Sequence, residues 1–136
     1  MRHAGVVAAI VILAAAVATA QTPAKVTTLK GYVVDQMCAK NMAKKENVME
    51  KAAGHTKECA LEESCAESGY GIFSEGKYYK FDDKGSVRAK DLIEKSKREK
   101  ELAFEASGTL SGGTFTVTSL KETAAGAPAA KPPKKD

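Results

Sequence analysis

Gly71-Ile72-Phe73-Ser74-Glu75-Gly76-Lys77-Tyr78-Tyr79-Lys80-Phe81-Asp82 decides how this chain folds. Two runs suited to β-structure, Gly71 to Ser74 and Lys77 to Asp82, flank Glu75-Gly76, the two-residue spacing of a tight hairpin. Downstream, Asp83-Lys84-Gly85 reads as a turn and Ser86 as the cap of a helix that buries Ala89, Leu92 and Ile93 and ends at about Lys97. Glu101 to Leu110 and Phe115 to Leu120 then alternate apolar with polar residues and are joined by Ser111-Gly112-Gly113 as a second hairpin. Upstream, Val26 to Asp35 has the β-branched and aromatic content of a first strand. Leu29, Gly31 and Val33 fall on one face and Tyr32 and Val34 on the other, so both faces are expected to be partly covered.

Between that strand and the hairpin lies a helical insertion. Ala39 to Ala53 consists of good helix formers, with Met42, Val48, Met49 and Ala52 as an apolar stripe and Gly54 as the stop. Thr56 is placed to cap a second helix running through Leu61 toward Ser68, where Gly69 ends it. The order strand, helical insertion, strand, strand, helix, strand, strand predicts a β-rich α+β domain: a small five-stranded OB-like barrel, partly open and Greek-key in form, whose insertion between strands 1 and 2 carries the cysteines. A simple five-stranded α+β sheet is the alternative.

The flanks read differently. Arg2 and His3 precede an uncharged apolar run, Val6 to Val17, and then Ala18-Thr19-Ala20. The run is too short to span a bilayer comfortably and ends in small residues, the pattern of a signal peptide over 1–20, cleaved after Ala20. Residues 21–25 form a leader, 26–122 one OB-like domain, and 123–136 an Ala/Pro/Lys tail expected to be disordered. These features predict a periplasmic or secreted protein with no membrane span after processing. Its 21 basic and 17 acidic side chains are interleaved, which argues for solubility and against a nucleic-acid partner.

Every cysteine lies in the insertion: Cys38, Cys59 and Cys65, with His55 nearby. Three thiols and an imidazole make the ligand set of a closed tetrahedral zinc site, structural because it leaves no place for a reactive water. Copper is the second candidate, since Met37, Met42 and Met49 add thioethers and soft sulfur selects Cu(I). His55 and Cys59, four apart, share a face if their helix starts early enough. Cys59 and Cys65 conflict on an ideal helix, being about 120° apart in rotation and about 9 Å apart in rise. A helix that starts late, or breaks, removes the conflict.

A disulfide competes with the metal. An exported chain meets an oxidising environment, and Cys38 paired with Cys59 or Cys65 would tie the insertion to the first strand and leave one thiol over. In that reading the protein is an extracytoplasmic binding module with Tyr70, Phe73, Tyr78, Tyr79 and Phe81 as an aromatic face for a small ligand; against it, Phe73, Phe81 and one adjacent tyrosine are the natural core. No Cys-x-x-Cys, nucleophile elbow or phosphate-binding glycine loop is present, so the expectation is a non-enzymatic protein, with a thiol-redox protein as the third reading.

Short motifs also align with a known pattern: Met37-Cys38, His55 before Cys59-Ala60, Cys65, Ser68-Gly69, Gly76-Lys77-Tyr78-Tyr79 and Leu102 to Leu120. Together they resemble a loose group of small exported bacterial proteins of uncharacterised function, over most of the mature domain. The resemblance implies a site at Cys38, His55, Cys59 and Cys65 and no particular reaction. Asp35 departs from the pattern, standing where many of that group have a further cysteine, and the interval from Cys59 to Cys65 is longer than theirs.

Overall fold

A computed structural model describes residues 24–124. The segment read as signal peptide, residues 21–23 of the leader and residues 125–136 of the tail lie outside the described residues. Five strands, β1 (Val26–Asp35), β2 (Tyr70–Ser74), β3 (Lys77–Phe81), β4 (Ala103–Ser111) and β5 (Thr114–Glu122), form one mixed sheet. Five helices accompany them: α1 (Gln36–Met42), α2 (Val48–Ala53), α3 (Lys57–Leu61), α4 (Glu63–Glu67) and α5 (Asp83–Lys95). The sheet closes on itself in the order β1-β2-β3-β5-β4. Every neighbouring pair is antiparallel except β3 with β5, joined through Lys80↔Thr114 and Phe81↔Phe115.

The ten-residue β1 makes closure possible by serving two partners. Val26 through Tyr32 pair with β4, from Val26↔Thr109 to Tyr32↔Ala103, and Tyr32 through Asp35 pair with β2, ending at Asp35↔Tyr70. Gly31 sits at the crossover, where a Cβ would lie 1.8 Å from the Phe73 carbonyl oxygen, so no larger residue fits without moving backbone. Both hairpin turns have the expected chemistry. Glu75-Gly76 and Gly112-Gly113 all have positive φ, the geometry that matches the twist of paired strands.

Two apolar clusters result. Leu29, Val33, Ile72, Phe81, Phe104 and Phe115 fill the ring, and Ala89 and Ile93 of α5 join them. On the outer face of β1, Val34 and Phe73 meet Ala39 and Ala52 of the insertion, with Tyr32, Met42, Val48 and Met49 packed around them. Both faces of β1 are therefore covered, as its composition predicts.

Three helical expectations need correction. Ala39 to Ala53 is two helices rather than one: α1 ends at Met42 and α2 begins at Val48. The break brings both helices against β1, and α2 against β2 as well, so that Met42 and Met49 reach the same cluster. Ser86 does not cap α5, nor is Asp83-Lys84-Gly85 a turn. Asp82 is the cap, its Oδ1 accepting from Gly85 N at 3.2 Å and also from Val117 N at 3.0 Å, so one carboxylate starts the helix and clips β5. Ser86 Oγ instead accepts from Tyr70 N at 3.0 Å. The helix begun by Thr56 is also split, at Glu62. None of the described helices is long and apolar enough to cross a membrane.

Candidate metal centre

Asp35 closes β1 and opens α1. Its Oδ1 accepts from Cys38 N at 2.8 Å, which fixes Cys38 in the first turn of α1. Gly54 ends α2, and His55 follows with its side chain turned inward. Thr56 Oγ1 accepts from Cys59 N at 3.2 Å, capping α3 as the sequence predicts. Glu62 then departs from helical geometry, at φ −55° and ψ 138°, and α4 restarts with Cys65 buried in its middle. That break resolves the rotational conflict between Cys59 and Cys65.

Polar tethers hold these short helices in place. Ser68 Oγ donates to Cys65 O at 2.6 Å and accepts from Met37 N at 3.1 Å, joining the end of α4 to the start of α1. Gln36 N donates to Gly69 O at 2.8 Å. Tyr70 OH donates to Ala60 O at 2.6 Å, fixing the residue after Cys59. Burial, then the Asp35 charge, push the Tyr70 hydroxyl up to about 12, so it remains a donor at working pH. Lys57 Nζ donates to Glu94 O at 3.0 Å and Ser96 O at 2.8 Å, pinning α3 to the end of α5.

The outcome is two overlapping groups of donor atoms. Cys38, Cys59 and Cys65 offer three sulfurs within 4.8 Å of one another, and the donor atoms of Asp35, Cys38 and His55 form a second trio within the same distance. Cys38 belongs to both; His55 does not share one compact group with Cys59 and Cys65. The cysteines are free, with Cys38 and Cys59 Sγ atoms 3.9 Å apart. Cys65 is buried, whereas Cys38 and Cys59 are half-buried and line an open cleft of about 510 Å³ with Asn41, Lys45, Lys51 and His55.

Asp35 is the residue the sequence reading left out of the ligand set. The available signal was an acid at the junction of strand and helix, three before a cysteine, the position of an N-cap. Its Oδ2 stands 3.1 Å from His55 Nε2 as a buried ion-pair partner, and His55 Nδ1, on the other side of the ring, is buried with no hydrogen-bond partner. Burial opposes ionisation of Asp35, but His55 beside it and the Cys38 amide outweigh that and hold its carboxyl below the usual range. Burial, then the Asp35 charge and the Cys59 thiol, push Cys38 far up. Burial and the Asp35 charge also raise Cys65. Metal-free, those two sulfurs are thiols at neutral pH.

The thioethers stand apart from this arrangement. Met37 is 46% exposed, Met49 Sδ accepts from Gly76 N at 3.3 Å, and Met42 packs on the outer cluster at the edge of the cleft. Of the central aromatics, Tyr70, Phe73 and Phe81 are fully buried core. Comparison with known proteins gave no match to a family model, a curated protein or a solved structure.

Proposed function

We propose that this is a small exported, non-enzymatic domain that binds a transition metal, zinc ahead of copper, through Cys38, Cys59 and Cys65, with His55 as the fourth ligand. The carrying observation is the convergence of three cysteine sulfurs from α1, α3 and α4. The donor set suits the ion: thiolates with a neutral imidazole satisfy Zn²⁺. The unpartnered His55 Nδ1 supports it, because a buried ring nitrogen with no hydrogen-bond partner is costly unless something occupies it. Asp35 supplies the carboxylate that orients a ligating histidine, in the carboxylate–histidine–metal arrangement common at zinc sites. The negative charge of Asp35 beside the thiolates favours a dication over Cu(I). Bound zinc would tie three helices together and stabilise a domain small enough to need it. The strand order, the single parallel pair and α5 between β3 and β4 support an OB-like barrel. The signal-peptide pattern of residues 1–20 supports export, and with it the resemblance to small exported bacterial proteins.

Native mass spectrometry of the processed protein, purified without chelator, tests the reading. A bound metal lost in Cys38→Ser and in His55→Ala supports it; a protein lighter by two hydrogens that never carries metal, even after reduction and addition of Zn²⁺, sinks it. The second reading, a disulfide-stabilised extracytoplasmic binding module, is favoured by the 3.9 Å approach of Cys38 and Cys59. The raised thiols of Cys38 and Cys65 weigh against a redox enzyme, whose attacking sulfur needs a lowered pKa.

A further inference from the structure

Metal and disulfide compete for the same sulfurs, yet the three thiols are not equivalent. Cys38 and Cys59, their sulfurs 3.9 Å apart, both open onto the cleft; Cys65, within 4.8 Å of both, is buried in α4. A disulfide needs its sulfurs about 2.05 Å apart, and the 3.9 Å pair, both residues half-buried, already stands in contact. The walls of the cleft are one-sided in charge: Lys45 and Lys51 are exposed there, and no acidic residue lines it. The neighbouring cleft beyond Cys59, lined by Thr56, Glu58, Cys59, Leu61 and Glu62, has the opposite sign and does not include Cys38. An anionic small molecule is therefore drawn to the side on which both sulfurs are reachable.

We infer that the lysine-lined cleft admits an anionic low-mass disulfide, which oxidises Cys38 and Cys59 to a disulfide and thereby expels the bound metal. The Cys59 thiolate, reached from both clefts, attacks one sulfur of the incoming disulfide; a mixed disulfide forms and the other half leaves as a thiolate that takes a proton from water. Cys38 then attacks Cys59 Sγ, the Cys38–Cys59 bond forms and the bond from Cys59 to the small-molecule sulfur breaks; in the metal-free protein the proton that the Cys38 thiol gives up is taken by the departing thiolate, and in the loaded protein that thiolate takes a proton from water. Two protein sulfurs lose two electrons, one small disulfide becomes two thiols, and a metal deprived of two thiolates departs as the cation. The expulsion rests on the metal reading above, whereas the exchange does not. It is stoichiometric, a conversion between two states of one site.

The experiment treats the reduced protein, zinc-loaded and metal-free in parallel, with glutathione disulfide or with cationic cystamine under anaerobic conditions. Zinc release is followed with a chromophoric indicator and the cysteines by alkylation and peptide mapping. Expected are loss of zinc in step with the Cys38–Cys59 disulfide, Cys65 left alkylatable after unfolding, and faster reaction with glutathione disulfide. In Lys45→Glu/Lys51→Glu, two exposed positions, the ratio of the two rates should fall by about fivefold or more. Equal rates for the two disulfides in the unsubstituted protein, a disulfide involving Cys65, or zinc retained after Cys38 and Cys59 are joined would each overturn the inference. If the reduced protein takes up no zinc, the metal reading fails by itself, and the metal-free arm still decides whether the exchange and its charge preference are real.

Discussion

Around the ring, five hydrogen-bonded strands bury Phe81, Phe104 and Phe115 completely; between β1 and β2, helices of 7, 6, 5 and 5 residues carry the three cysteines, and His55 stands in the link between the second and third. Helices that short do not hold themselves in water. The ring is kept together by buried apolar area, which no single polar substitution removes. The insertion has a smaller apolar cluster of its own against β1 and relies in addition on discrete contacts, among them Asp35 to Cys38, Thr56 to Cys59, Ser68 to Cys65 and Tyr70 to Ala60, each of which can be deleted singly. Stability and site geometry should therefore be separable by mutation.

The largest effect on stability is expected in the ring. Phe104→Ala should cost about 3–5 kcal/mol in urea denaturation, against about 1 kcal/mol for the half-buried Met49→Ala in the insertion. Comparable losses at the two positions would mean that the regions do not differ as described.

Asp35→Asn comes next, and bears on both regions. Because the folded carboxyl titrates below its unfolded value of about 3.9, its ionisation contributes stability that is present above that pH and is lost as pH falls through the folded pKa. Metal-free protein should lose about 1–3 kcal/mol in the variant at pH 7, and the difference should vanish in strong acid. A gap that persists undiminished below pH 2 would exclude ionisation as its source.

Glu62→Ala probes geometry with little effect on the ring. A good helix former at the break favours fusion of α3 with α4, swinging Cys65 away from Cys59, and zinc affinity should fall about tenfold by competition with a chelator. Unchanged affinity would show that the break is fixed by the tethers alone. The smallest effect belongs to Glu105, which stands between Lys30 and Lys121 on the ring's surface. Glu105→Gln should leave the urea midpoint within experimental scatter at high salt.

Much of the ring is legible in the sequence because its signals are local. Glu75-Gly76 and Gly112-Gly113 permit few other turns, and the alternation along β1 announces two covered faces. The insertion is harder to read, since its helices end for reasons outside themselves. Nothing in Ala39 to Ala53 forbids an unbroken helix; α1 stops because α2 must fold back onto β1 and β2. Glu62 carries no breaker signature, and its conformation answers to Tyr70, which holds α3 from β2, and to Ser68, which ties the end of α4 to α1. The same limitation hid Asp35. As a strand residue it reads as a solvated end; only the fold places His55, twenty positions later, against its carboxylate.

Asp35 also sets the size of the portable unit. It is at once the last rung opposite Tyr70, the cap of α1 and the neighbour of His55. A protein engineer who grafted only the loop from Gln36 to Gly69 into another β-scaffold would carry over the sulfurs without the two strand ends that aim them. The transplantable module runs from Tyr32 to Phe73, with a host strand pair in matching register, and an amide hydrogen-exchange map of such a chimera would report at Asp35 and Tyr70 whether the graft had taken.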